Sequence, residues 1–511
     1  MKIKLKLFSA LLAVSMLAGC SGDESSAVVS EETAETTVDN VIETSAETTG
    51  DNVTETSAES SAVPEVKIED GGSYIRMPDG VKPEMMNASY WIKEGSDKVL
   101  MDEAGIKEFN NENLFPIKAK DGTELPLFGE IGDSLDGEIL RTFLRDNEAA
   151  VPKDPSKYYL NGNSTDSAYW QQLVGLSNIE GVPDEIKVRF GYTVKRMTVR
   201  LFPTEDKVYE GSSDKFFDAM IYSECMPYLP VVVLHESTDG EYLYVVFDSY
   251  SAWVRKDAVA LCESREDWCR RQDPEHFLTV TGRELRFGDD PYTPAVSDLV
   301  LPMGTRMALA DLDEAPQSVT HRATFANYVV KVPTRGEDGY VKDEYVLIPV
   351  SDDVTPGYLS LTPANILRQS FKLLGDRYGW AGDLRANDCT GIIREVYNCF
   401  GILIPRGAQS KVKGVFKTDM SEMSDKEKVG VFAGLEAGSL IYMPGHAMIY
   451  IGTVDNVPYV INANGGFTPP EPGSNDRIYT RSVTVNSLYV RTSSLKSWLS
   501  RCNTAVTVKK D

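Results

Sequence analysis

The spacing of apolar positions changes several times along the chain, and each change predicts a different kind of structure. Leu7 to Ala18 form an apolar run too short to span a bilayer. Residues 21–65 show no period: they are Ser/Thr/Glu/Ala-rich, and "DNVIETSAETTG" (39–50) is followed by its near-repeat "DNVTETSAESSA" (51–62). Such a stretch buries too little apolar surface to fold and reads as a self-repelling spacer. Helix-period positions then appear in 102–115, 134–150 and 164–179, each behind a polar cap. From about Phe190 the pattern becomes strand-like: "YTVKRMTVRLFPT" (192–204), "PVVVLHES" (230–237), an Asp239-Gly240 hairpin signal, "EYLYVVF" (241–247) and "SAWVRKDAVAL" (251–261). Residues 276–350 hold a second set of short strands. A helix returns at 362–380, with Thr362 as cap and Pro363 at its first position. Another runs from Cys389 to Phe400, capped by Asp388 and followed by Gly401. The segments 438–452, 458–466 and 483–492 then alternate like strands of one sheet, so the last part of the chain is an α+β domain.

Composition narrows the function classes. With 511 residues, two to four domains are expected. The net charge of −25 lacks the basic footprint of a nucleic-acid-binding surface, so no nucleic-acid partner is expected. Residues 21–65 hold 12 acidic residues and no Lys or Arg, which leaves the folded remainder only moderately acidic.

The chemistry concentrates in "NDCTGIIREVYNCFGILIPRGAQ" (387–409). Cys389 lies at a helix start, where unpaired amides and the helix dipole favour a thiolate. Cys399, ten residues on, sits at the edge of the apolar stripe and reads as core. A thiol nucleophile needs a base, and the chain has four histidines: His235 in the first strand-rich unit, His276 at a junction, His321 in a polar stretch, and His446. Only His446, at the start of a strand in "PGHAMIYIG", shares a domain with Cys389. The "TVDNVP" turn brings "VINAN" back beside it, and Asn462 and Asn464 have the parity to face it. Spacing does not choose between them. No two histidines stand at ligand spacing, so neither a metal site nor a cofactor is expected. A bridge between Cys225 and Cys262 or Cys269 is possible on sequence grounds.

Three resemblances follow. The N-terminus, with Lys2, Lys4 and Lys6 before the apolar run and "LAGC" at its end, resembles a bacterial lipoprotein signal, implying lipidation at Cys20. "VRLFPT" and "AWVRKD" resemble the opening and closing segments of a bacterial Src-homology-3-like barrel. "YGWAGDLRANDCTGIIREVYNCFGILIPR", then "GHAMIYIG", then "YVINA" resembles the NlpC-type branch of papain-like cysteine peptidases, which cut peptidoglycan stem peptides. By position, the resemblance implies Cys389 as nucleophile, His446 as base and acid, and Asn462 as the orienting residue. It places Tyr378 beside the oxyanion hole and Asp388 and Thr390 against substrate.

The expected architecture is a multidomain chain: signal peptide 1–20, spacer 21–65, mostly helical N-terminal region 66–190, two small all-β Src-homology-3-like barrels (191–275 and 276–360), and an α+β papain-like catalytic domain (361–511). This order resembles the γ-D-glutamyl–diamino-acid endopeptidase subgroup, whose first barrel favours short peptides with a free N-terminal alanine. It implies an exported, membrane-anchored enzyme acting on stem peptides or muropeptides. The alternatives are an idle cell-wall-binding lipoprotein and a related amidase or acyltransferase. Thr390 replaces the commoner serine and Ala381 a glycine. Gly407 follows Arg406 where relatives carry an acidic residue, which puts the free-amine preference in question.

Overall fold

The structure is a computed structural model, and it describes residues 76–311, 313–406, 412–413, 415–471 and 473–510. The leader, Cys20 and the spacer lie outside the described residues, as does Gly407. Among the described residues no helix is long and apolar enough to cross a membrane.

The C-terminal domain is built on a six-stranded sheet. Its order is Phe416–Asp419, Thr504–Thr507, Leu440–Met443, His446–Val454, Val457–Asn464 and Ser482–Ser487. Alternation along each strand divides the apolar side chains between two cores. Ala447, Ile449 and Ile451 pack with Ile366 and Leu367 of helix Pro363–Lys372 and with Ile393 and Val396 of helix Cys389–Asn398. Met448 and Tyr450 face the other way, against Phe432 of helix Asp425–Ala433 and Trp498. The turn between the two central strands is Asp455-Asn456, with φ of 50° and 62°, flanked by the pair Val454 and Val457. Two successive left-handed residues give a tight hairpin whose twist matches its strands.

Upstream, a seven-stranded antiparallel sheet forms the first barrel, with the order Val259–Leu261, Arg189–Thr193, Pro230–Glu236, Tyr242–Val246, Ser251–Arg255, Met197–Arg200 and Ile221–Cys225. The 276–360 region holds a five-stranded sheet around its own core of Leu278, Val280, Met307, Val330 and Ile348. Cys225, Cys262 and Cys269 are all free thiols, so the possible bridge among them is not formed.

The region expected as one helical unit packs in two parts. Helices Glu103–Glu112, Gly137–Glu148 and Ser167–Leu176 form within the expected segments. Residues 81–109 supply Met85, Trp91 and Phe109 to the core of the C-terminal domain. Asn110 fastens that contact: its Nδ2 donates to the Gly401 carbonyl at 2.7 Å, and its Oδ1 accepts from Leu403 N at 2.9 Å. Residues 119–188 instead join the first barrel through Leu125, Leu140, Phe143 and Ile186. Helix periodicity identifies an apolar face but carries no information about which neighbour covers it.

Candidate active site

Asp388 begins the site. As N-cap of helix Cys389–Asn398, its Oδ1 accepts from Thr390 N at 2.9 Å, Gly391 N at 2.7 Å and the Thr390 hydroxyl at 2.9 Å. Its second oxygen accepts from Arg406 Nη2 at 2.5 Å, with both side chains largely buried. The carboxylate is thereby used to hold the helix start and to neutralise a buried guanidinium. Cys389 follows at the first helical position and is half-buried, while Cys399 is fully buried, its thiol directed at the Glu395 and Val280 carbonyls. Cys399 is core, in line with the helix-stripe reading.

His446 is the first residue of its strand, and its ring meets Trp498 edge-on at 5.0 Å. Helix Cys389–Asn398 and the histidine's strand share one core, Ile393 and Val396 with Ala447 and Ile449, which brings the thiol to that strand. On the far side, His446 Nε2 lies 3.0 Å from Asn462 Oδ1. Two of the other histidines are engaged elsewhere: His235 is buried with Nε2 on the Asn178 carbonyl, and the His321 ring lies tilted 4.4 Å from that of Tyr292.

The orientation of Asn462 is dictated by its neighbours. Its Nδ2 donates to Asn486 Oδ1 at 2.8 Å, and its Oδ1 also accepts from Asn464 Nδ2 at 3.0 Å. Asn464 Nδ2 donates in addition to Thr484 Oγ1 at 2.8 Å, and Asn486 Nδ2 to the Ser487 carbonyl at 3.1 Å. All three asparagines are buried. Rotating the Asn462 amide by half a turn would face donor to donor at Asn464 and acceptor to acceptor at Asn486. The oxygen therefore faces His446, Nε2 carries the hydrogen, and Nδ1 keeps its lone pair. Both asparagines left open by spacing thus take part, Asn462 against the ring and Asn464 behind it. Asn486 was not legible in the sequence, because a polar residue at an alternate position of an outer strand usually faces water.

Burial governs the electrostatics. It pushes the Cys389 thiol up to about 12, with the Asp388 charge adding to the rise; the Ala447 amide, Arg406 and the Thr390 amide oppose it only in part. It also pushes His446 down to about 4, against the hydrogen bond to Asn462. Desolvation and the adjacent carboxylate therefore oppose the helix-start argument for a stabilised thiolate, and burial likewise favours the neutral imidazole.

The remaining expected residues lie around this centre. Tyr378 is buried, its backbone N donating to the Arg481 carbonyl at 2.8 Å, and its ring lies 6.3 Å from that of Phe217. Phe217, from the first barrel, also meets Trp380 at 5.6 Å, so the barrel packs against the C-terminal domain beside Tyr378. Asp214, three residues earlier, pairs with Arg481 at 2.9 Å. Thr390 caps with Asp388 as described. Among the described residues no group of three His, Cys, Asp or Glu side chains is arranged to hold a metal ion.

Comparison with known proteins agrees with this layout. Residues 375–491 match the family model described as the NlpC/P60 family, and residues 207–255 match that of an SH3 domain of the SH3b1 type. A solved NlpC/P60 endopeptidase from Photobacterium damselae subsp. piscicida is similar over 82% of this chain and 96% of its own, at 16% identity and a TM-score of 0.64. An NlpC/P60 family protein from Bacillus cereus ATCC 10987 aligns over 62% of this chain and 98% of its own, at 14% identity and a TM-score of 0.41. No curated protein matches the sequence. The chain thus carries an NlpC/P60 domain, the domain of a cysteine-peptidase family, behind an SH3 domain of the SH3b1 type.

Proposed function

We propose that this protein is an exported, lipid-anchored cysteine endopeptidase that hydrolyses peptidoglycan stem peptides or muropeptides at the γ-D-glutamyl–diamino-acid bond. The observation that carries the reading is the Cys389, His446 and Asn462 constellation inside an NlpC/P60 domain, with Asn462 held so that His446 Nδ1 is the basic nitrogen. The solved relative from Photobacterium is named an endopeptidase, and the SH3 domain suits a wall polymer as substrate. The resemblance in the catalytic segments supplies the bond. The lipoprotein-like N-terminus ending at Cys20 supplies export and anchoring.

The chemistry follows from the resting protonation states. His446 Nδ1 takes the thiol proton as the Cys389 sulfur attacks the scissile carbonyl carbon, so charge develops only as the new bond forms. By the resemblance in the catalytic segments, Tyr378 lies beside the hole that takes the oxyanion of the tetrahedral intermediate, with the Cys389 backbone amide at the helix start as a second donor. Collapse breaks the C–N bond; Nδ1–H protonates the leaving amine, and a thioester remains on Cys389. Water, deprotonated by Nδ1, attacks the thioester and releases the carboxylate, and the proton returns to sulfur. Throughout, Asn462 Oδ1 accepts from Nε2–H and stabilises the transient imidazolium.

Variants, product analysis and pH dependence test this reading. Cys389→Ala lowers cleavage of a defined tetrapeptide muropeptide by about 10⁴-fold or more and leaves the circular-dichroism spectrum unchanged. Mass spectrometry of wild-type products shows cleavage between γ-D-glutamate and the diamino acid; full turnover by the variant sinks the nucleophile assignment, and another scission point sinks the bond. Because the thiol is raised and the imidazole lowered, iodoacetamide labelling of Cys389 rises continuously from pH 6 to 9 with no acidic plateau. The acid limb of kcat/KM then falls near pH 4, where His446 gains its proton, and not near the ordinary histidine value. A flat labelling rate below pH 7 would instead indicate a resting ion pair. Cys20→Ser leaves the protein in the aqueous phase of a detergent partition, whereas the unaltered protein made in a bacterial host enters the detergent phase; equal partition contradicts the anchor.

A further inference from the structure

The loop that delivers the nucleophile is strained, and the first barrel holds it. Between Tyr378 and Cys389, four of five consecutive residues have left-handed backbones: Ala381 at φ 50°, Gly382 at 89°, Leu384 at 62° and Arg385 at 54°. Each non-glycine residue held there costs on the order of 1 kcal/mol or more, so the conformation persists only if its surroundings impose it. Within the loop, Gly382 N donates to the Gly379 carbonyl, Ala386 N to that of Asp383, Leu384 N to Asp383 Oδ1 at 2.8 Å and Gly379 N to the Asn387 carbonyl at 3.1 Å.

The stronger contacts come from barrel side chains. Arg196 precedes strand Met197–Arg200, and Glu224 lies on the paired strand Ile221–Cys225. Arg196 donates to Glu224 Oε2 through Nε at 3.0 Å and Nη2 at 2.6 Å. The same Nη2 reaches the Ala386 carbonyl at 3.3 Å and Asn387 Oδ1 at 3.2 Å, the two residues before the helix cap Asp388. Lys207 donates to Asp383 Oδ1 at 2.8 Å. Glu224 packs so closely that a Cβ on Gly382 would lie 2.2 Å from the Glu224 Cβ, and one on Gly391 would lie 3.2 Å from its Oε1. Beneath the cluster, Glu395 of the nucleophile helix is fully buried, and burial raises its carboxyl to about 8 despite Arg196. The Arg196 Nη2 stands 3.9 Å from Glu395 Oε1 and 2.6 Å from Glu224 Oε2, so Glu224 is its nearer partner.

We infer that Arg196 is a positioning residue for Cys389: it ties the first barrel to Ala386 and Asn387 and so holds the strained loop that sets the start of the nucleophile helix. The barrel is then a working part of the catalytic centre as well as a module for the wall polymer. This rests on Cys389 being the nucleophile, as proposed above.

The test uses the full chain with Arg196→Ala, Arg196→Lys and, as a control, Arg271→Ala, which removes a barrel ion pair with Asp267 and Asp343. Two quantities are read: steady-state cleavage of the defined muropeptide, and the rate of iodoacetamide labelling mapped to Cys389 at pH 8. The expected result for Arg196→Ala is a kcat loss of roughly 10–100-fold, with a parallel drop in Cys389 labelling and KM within about twofold. Arg196→Lys, which keeps the charge but not the fork of donors, recovers part of both. Arg271→Ala changes neither. If Arg196→Ala does not fold, Arg196→Lys and Asn387→Ala carry the test, and both show the same kcat-selective loss. Wild-type labelling in these variants overturns the inference, as does an equal loss in Arg271→Ala. A wild-type chain that fails to cleave the muropeptide overturns the proposed function but not this inference, because labelling reads Cys389 directly.

Discussion

The hydrogen bond between His446 Nε2 and Asn462 Oδ1 is the contact on which the chemistry of this site depends. It decides which ring nitrogen is basic, and it depends on a register shift between Tyr450 and Gly452, because the unbroken register of the Asp455-Asn456 hairpin would turn Asn462 to the face of Ile449. An amide has no intrinsic preference for presenting its oxygen. Asn486, Asn464 and Thr484 impose that preference by occupying every other donor and acceptor around Asn462. A fully satisfied buried network of this kind is rigid, because any rotation leaves groups unpaired in a medium that cannot replace their bonds.

The same burial that gives the network its rigidity sets the charge state of the pair it serves. Desolvation disfavours both thiolate and imidazolium. Asp388, held by its cap bonds and by Arg406, adds its charge to the rise at Cys389. Both effects favour the uncharged thiol and imidazole before substrate arrives. Around the site, the first barrel packs on Trp380 and Tyr378 through Phe217 and contacts the nucleophile loop through Arg196 and Lys207.

Much of this was legible in the sequence, and the reasons for the rest are physical. Cys389 and His446 stand out because a helix cap and a strand start are local properties of residue order. The separation of Cys399 as core follows from helix geometry in the same way. Asn462 faces His446 only through the register shift between Tyr450 and Gly452, which the alternation pattern does not show, so its place came from the resemblance. The desolvation that opposes the helix dipole at Cys389 is likewise invisible in residue order. Asn486 and Arg196 were missed because each acts through residues far away in the chain: 24 positions to Asn462 and 191 to Asn387. The split of the helical N-terminal region between the C-terminal domain and the first barrel has the same origin, since an amphipathic helix does not name its partner.

The central claim, thiol attack directed by an amide-fixed histidine, is most directly tested by trapping the covalent intermediate. The full chain is mixed with a defined tetrapeptide muropeptide, quenched in acid within milliseconds to seconds, digested and analysed by mass spectrometry. The account predicts an acyl adduct, labile to hydroxylamine, on the peptide that contains Cys389, and its absence in His446→Ala. Turnover of the muropeptide with no adduct at Cys389, or with an adduct at another cysteine, would contradict it.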